Sequence, residues 1–164
     1  MSVTPTKQKI TPYLWFDMNA EEAVNFYVSV FKDTRIIATS RYPDEMPDFG
    51  GKVLTIQFEL FGQAFMALNG GPQFKFNEAV SFLVDCKDQA EVDYYWEKLT
   101  ADGGEEGMCG WLKDKYGLSW QIIPMRLEEL IGSSDKKKAG RAMQTMLSMR
   151  KIDVAELERA FNGE

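Results

Sequence analysis

The 164-residue sequence contains no histidine. That removes the side chain whose charge ordinarily changes near neutral pH, and the commonest transition-metal ligand. It also excludes any Ser-His-Asp or Cys-His nucleophilic mechanism. Cysteine is scarce: Cys86 and Cys109 are the only two, and they do not form a Cys-x-x-Cys pair. A small secreted domain stapled by disulfides would carry more. No run approaches the roughly 18 consecutive apolar residues of a membrane span. The first residues, Met1 to Lys7, lack the apolar stretch of a secretory signal. A cytoplasmic chain without a membrane partner is the expectation. Positive charge is also short, with 19 Lys and Arg against 25 Asp and Glu for a formal net charge of −6. Phosphate backbones call for a basic footprint, so no nucleic-acid partner is expected. The single basic run, Lys136-Lys137-Lys138, reads as a solvated helix face.

What is present suits an ordinary folded domain. The apolar fraction is 45% and the charged fraction 27%. A chain of this size buries roughly 68–70% of the surface it exposes when unfolded. Aromatics make up 13%, including 11 Phe and 4 Trp, which predicts a well-filled interior and an aromatic-lined cavity.

The chain repeats itself. Ile10 to Phe16 and Val80 to Val84 are strand-like runs, and Tyr13-Leu14-Trp15-Phe16-Asp17 overlies Ser81-Phe82-Leu83-Val84-Asp85. Each leads into a capping-box signal, Asn19 with Glu22 and Asp88 with Glu91. Helix stripes follow at Ala23, Phe26, Tyr27 and Val30, and again at Val92, Tyr95, Trp96 and Leu99. Strands are then expected over 35–42, 52–60 and 63–69, with Phe61-Gly62 turning the hairpin. Leu54, Ile56, Phe58 and Leu60 fall on one face, with Val53, Thr55, Gln57 and Glu59 on the other. In the second half, one or two short strands over 105–113 and a strand over 118–124 are expected, with Tyr116-Gly117 copying the earlier turn. The fold class is therefore α+β: tandem βαβββ modules forming a half-open, cup-shaped sheet, plus C-terminal helices. The ferredoxin-like βαββαβ order is disfavoured.

The expected divisions are an N-terminal arm (1–9), a first module (10–71), a second module (72–124) and a helical tail (125–164). In the tail, Ala139, Met143, Met146, Leu147 and Arg150 trace one stripe. Asp153 with Glu156 caps a last helix that turns Val154, Leu157 and Phe161 inward. Packing in the core or across a homodimer is the expected use of these faces.

A βαβββ tandem with Glu-Ala-Val-Asn-Phe-Tyr at 22–27 and Trp-Leu-Lys-Asp-Lys-Tyr-Gly-Leu-Ser-Trp-Gln-Ile at 111–122 resembles the vicinal oxygen chelate superfamily. This is the glyoxalase, bleomycin-resistance and extradiol-dioxygenase group. Thr-Pro-Tyr-Leu-Trp-Phe at 11–16 is similar to its PhnB-like branch, which often carries a demethylubiquinone methyltransferase label. The resemblance implies a divalent metal held by His, Glu or Gln from the first and last strands of each module. Those places fall on Thr11, Met66, Ala79 and Gln121, a set poor in the donors a hard cation takes. The residues therefore predict no metal and no cofactor. A nucleoside cofactor of the common kind calls for a Gly-rich strand-to-helix turn, and Asp17-Met18-Asn19 has no glycine.

Alternate strand residues lining the open face would be Thr11, Tyr13, Trp15, Thr55, Gln57, Met66, Ser81 and Gln121. This aromatic and neutral polar set suits a small organic ligand, aromatic or cationic; a filled core with no cavity is the alternative. Glu59 is the carboxylate to test first as a catalytic group. Asp44, Glu45, Asp48, Glu105 and Glu106 read as solvated charge, and Cys109 reads as packing. Three functions stay open: a metal-free small-molecule-binding protein, a lyase or dioxygenase-like enzyme with a displaced or absent metal, and a structural or regulatory dimer-forming protein.

Overall fold

The computed structural model describes residues 8–164. Of the expected N-terminal arm, residues 1–7 lie outside the described residues. The chain divides into two compact units, the first ending at Lys75 and the second beginning at Phe76.

The first unit is one βαβββ module. Strand β1 (Tyr13–Phe16) leads to helix α1 (Ala20–Val30), followed by β2 (Arg35–Arg41), β3 (Val53–Leu60) and β4 (Gln63–Asn69). The sheet order is β1-β4-β3-β2, with β1 parallel to β4 and the other pairs antiparallel. Strand alternation sorts the two faces. Leu14, Phe16, Ile56, Phe58, Phe65 and Ala67 are buried, as are Ala23, Val24, Tyr27 and Val30 of α1. The Tyr27 and Phe58 rings stack at 6.4 Å in this core. The hairpin between β3 and β4 turns on Phe61 (φ 49°) and Gly62 (φ 74°), both left-handed, which fits a two-residue loop to the strand twist.

Strand β1 is shorter than its sequence run. Ile10 is exposed, and the chain before β1 is held by a side chain instead: the Gln8 amide donates to Ala64 O and accepts from Ala64 N. The expected cap on α1 also differs. Asn19 makes no side-chain cap bond; the Ala20 amide donates 2.8 Å to Asn69 Oδ1 from the end of β4.

The second unit repeats the order with β5 (Ser81–Cys86), α2 (Gln89–Thr100), β6 (Glu105–Glu106), β7 (Trp111–Lys113) and β8 (Ser119–Pro124). The sheet runs β5-β8-β7-β6 with the same parallel and antiparallel pattern. Here the expected cap forms, with Asp88 Oδ1 accepting from Glu91 N. The Glu91 carboxylate reaches back to the amide of Lys87, one residue beyond the capping residue. The turn before β8 copies Phe61-Gly62 only at its glycine: Gly117 has φ 84°, whereas Tyr116 is not left-handed.

Three helices complete this unit: α3 (Met125–Ile131), α4 (Lys136–Met146) and α5 (Val154–Asn162). Leu127, Leu130, Ala142, Met149, Ile152 and Leu157 bury together with Ile123 of β8, and Met146 and Phe161 pack against them. The inward stripe of α4 thus runs through Ala139, Ala142 and Met146. Met143 and Leu147, expected on that stripe, are exposed, because the contacting face is centred one residue off the sequence stripe. The cap on α5 forms as expected, with Asp153 Oδ1 accepting from Glu156 N. Backbone bonds from Cys109 N to Met149 O and from Gly110 N to Arg150 O tie the tail to the loop before β7.

Candidate functional site

Strand register gathers most of the expected site residues into rows on the sheet faces opposite the helices. On the first sheet, Tyr13, Met66, Gln57 and Ala38 stand side by side across β1, β4, β3 and β2. The next row is Trp15, Leu68, Thr55 and Ser40. Five expected residues therefore share one face: Tyr13, Trp15, Thr55, Gln57 and Met66. Thr11 lies before β1 and is exposed.

Several of these side chains are held in place. The Trp15 indole N–H donates 2.8 Å to Gly71 O, and its ring meets Phe74 edge-on at 4.9 Å. Gly70 lets that ring approach, since a Cβ there would lie 2.4 Å from it. Thr55 and Ser40 share a 2.6 Å hydroxyl contact. Glu59 receives two hydrogen bonds from the Arg35 guanidinium, at 2.7 and 3.1 Å. Those bonds hold its carboxyl below the usual carboxylate range. At neutral pH Glu59 is an anion with a fixed partner, which makes it a weak base and no acid.

On the second sheet the matching rows are Ser81, Ser119, Lys113 and Glu105, then Leu83, Gln121 and Trp111. The Gln121 amide nitrogen donates 2.9 Å to Ser81 Oγ, joining the two expected residues of this sheet. Lys113 Nζ lies 2.7 Å from Glu78 and 3.5 Å from Glu105. Their carboxylates raise the pKa of Lys113 and keep it protonated. Asp114 is buried beside this row. Its carboxylate accepts from Tyr116 N and Leu118 N, and from the Trp120 indole N–H at 2.9 Å. The Asp-x-Tyr-Gly-x-x-Trp stretch is thus a self-satisfied turn rather than a presented ligand.

This geometry has close relatives. A family model described as 3-demethylubiquinone-9 3-methyltransferase matches residues 8–123. The PhnB protein from Bacillus cereus is 40% identical, covering 71% of this chain and 99% of its own, with a TM-score of 0.65. The chain belongs to this family, the PhnB-like branch of the vicinal oxygen chelate superfamily. Two more distant structures share the fold. Protein PA1353 from Pseudomonas aeruginosa is 21% identical, with 72% of this chain and 98% of that one covered and a TM-score of 0.60. The fosfomycin resistance protein FosX from Mesorhizobium loti is 13% identical, with 71% and 90% covered and a TM-score of 0.52. No curated protein matches the chain.

Two groups implied by the superfamily and by the family description can be tested against this PhnB-like chain's residues. The first is the divalent metal. Ser81 corresponds to Tyr13 in the repeat, so the observed registers make Leu68, not Met66, the first-module counterpart of Gln121. The correction is two residues, and Leu68 has no donor atom. Ala79 sits in a turn before β5, and Thr11 is exposed ahead of β1. The Gln121 amide oxygen is the sole strong donor of this set held in a strand, and a hard cation takes six or more oxygens. Among the described residues, no group of three or more His, Cys, Asp and Glu is arranged to hold a metal ion. The residues do not fit the metal. The second is the nucleoside cofactor that a methyltransferase needs. In the turn from β1 to α1 the left-handed position is Met18, not glycine, and the Ala20 amide is already taken by Asn69. These residues do not fit that group either.

The sequence reading missed Leu68, Ser40, Ser119, Lys113 and Trp111. The first two follow from strand alternation once the register is known. Ser119 lies between Leu118 and Trp120 and carries no local signal.

Proposed function

We propose that this chain is a small-molecule-binding protein of the glyoxalase and bleomycin-resistance type whose pocket works without the superfamily's metal. The observation that carries this reading is the composition of the first sheet's helix-free face. Tyr13, Trp15, Met66, Leu68, Thr55 and Gln57 present aromatic, thioether and neutral polar groups in two adjoining rows. Such a wall suits a planar organic molecule, aromatic or cationic, fixed by a few hydrogen bonds. Trp15, pinned by Gly71 O and Phe74, is preorganised for stacking. The fosfomycin resistance of FosX, which shares the fold, is in keeping with a role in sequestering or neutralising a small molecule.

The proposal includes a homodimer and a cytoplasmic location. All of β2 is exposed, at the edge of its sheet, with Ile36 and Ile37 on it; an edge of this kind favours pairing with a second copy. No helix among the described residues is long and apolar enough to cross a membrane.

A thermal-shift screen with planar aromatic and cationic compounds tests the binding reading. A ligand at about 100 times its Kd stabilises the folded state by about 2.7 kcal/mol. The expected result is a concentration-dependent rise in Tm that Tyr13→Ala and Gln57→Ala weaken. A screen without hits, or hits indifferent to both substitutions, overturns the proposal.

A further inference from the structure

The second unit holds a feature that the first-sheet rows do not explain. Ser119 is fully buried, and its hydroxyl is the one buried side-chain oxygen or nitrogen among the described residues without a hydrogen-bond partner. Buried hydroxyls are nearly always satisfied, and leaving one unpaired costs about 1–3 kcal/mol. Ser119 is among the residues lining a cavity of about 150 Å³, whose other walls include Glu78, Glu105, Glu106, Trp111 and Lys113. A space of that size holds a six-membered ring.

The walls are charged unequally. Glu78 and Glu105 share the Lys113 ammonium. Glu106 accepts from the Trp96 indole N–H at 2.9 Å and sits 3.4 Å from Arg150. Lys151, the other nearby cation, is engaged 2.6 Å from Asp93. Three carboxylates thus face two cations at the cavity. One negative charge is left over, beside an unused hydroxyl and an indole wall. Lys113 stays protonated between its two glutamates, so it cannot serve as the base that would turn Ser119 into a nucleophile. Binding, not covalent chemistry, is what this arrangement offers.

We propose that this cavity binds a compact organic ammonium ion, its ring against Trp111 and its N–H groups shared between the Ser119 hydroxyl and the glutamates. The inference deepens the small-molecule-binding reading and rests on it, while assigning the cation to the second unit. An amine donates where Ser119 can accept, and its charge balances the excess carboxylate. The aromatic wall adds apolar contact with the ligand's ring.

Three probes of one shape decide the matter: cyclohexylamine, cyclohexanol and cyclohexanecarboxylate, each titrated at neutral pH and matched ionic strength into ¹⁵N-labelled full chain. The amine is expected to shift the amides of Gly107, Leu112 and Ser119 saturably. The alcohol should bind at least five-fold more weakly and the carboxylate not at all. Ser119→Ala should weaken the amine at least five-fold and Glu78→Gln about as much. Ser119→Ala should also melt no lower than the parent, because its hydroxyl has no partner to lose. Three results overturn the site: no saturable shift (a cavity holding water only), equal affinity for all three probes, or unchanged amine binding in Ser119→Ala. A large drop in Tm for Ser119→Ala overturns it too, by revealing a structural partner. Failure here alongside hits on Tyr13 and Gln57 sinks this site alone; failure of both sinks the parent reading.

Discussion

Asn69 Oδ1 and the Ala20 amide are joined by a 2.8 Å hydrogen bond, so the last strand of the first module caps the helix that follows its first strand. The Asn69 side-chain nitrogen, Nδ2, donates 3.0 Å to Val53 O at the start of β3. Asn69 is 2% exposed, and it ties three elements through one side chain. Removing it leaves a buried N–H and a buried C=O unpaired, at about 1–3 kcal/mol. Asn69→Ala is therefore expected to lose about 2–3 kcal/mol in urea unfolding. Asn19→Ala, at the position where sequence places the cap, should cost under about 0.5 kcal/mol, the range of a substitution that breaks no partnered contact. Asp88→Ala, which removes a formed cap, should cost about 1 kcal/mol. Equal losses for Asn19→Ala and Asp88→Ala contradict this account of the two helix starts.

The two thiols differ in reach. Cys86 is buried, and its thiol is pushed up to about 12, first by burial and then by Glu91, Asp85 and Asp88. Cys109 is partly exposed on the loop before β7. An aromatic disulfide reagent at pH 8 is expected to titrate one thiol per native chain quickly, and two after denaturation. Cys109→Ser should abolish the native reaction and leave the second. Two fast native thiols would show that β5 opens under native conditions.

Much of the architecture was legible, and the residues explain why. Alternation over Thr55 to Leu60 separates buried from half-buried positions, and Gln63–Asn69 follows directly from the two-residue turn at Phe61-Gly62. At the start of β3 the alternation fails: Val53 is buried although expected on the open face, where the pairing with β2 shifts register. Antiparallel register is fixed by such a turn. The parallel pairing of β1 with β4 has no local turn to set it, which is why the counterpart of Gln121 fell on Met66 rather than Leu68. Asn69 acts on Ala20 from 49 residues away, so no window around α1 contains it. On α4, the apolar residues Met143 and Leu147 read as core although Ala142 and Met146 make the contacts. Periodicity gives a face only to within about a residue when small alanines carry the packing.

Acid should loosen the tail first. The Glu106 carboxyl sits below its ordinary value, first because the Trp96 indole donates to it and then because of Arg150. Asp93 is likewise lowered, by Lys151 and then Gln89. Arg150 and Lys151 lie between α4 and α5. A carboxyl lowered in the folded state contributes stability above its unfolded pKa, about 4 for these groups, and loses it as pH falls through the folded value. Hydrogen-exchange protection factors of the α5 amides are expected to fall below about pH 4, before those of β8. Glu106→Gln with Asp93→Asn should flatten this dependence. An acid response that begins in β8 contradicts it.

The central claim is that the superfamily's metal positions in this chain grip no divalent cation. Elemental measurement of chain expressed in metal-replete medium and purified without chelator or affinity metal addresses it directly. The predicted result is well under about 0.1 equivalent of zinc, nickel, iron or manganese per chain, unchanged in Gln121→Ala, since one amide oxygen falls far short of the ligand count these ions require. One equivalent of any of them, lost on replacing Gln121, would contradict the account and make this a metalloprotein.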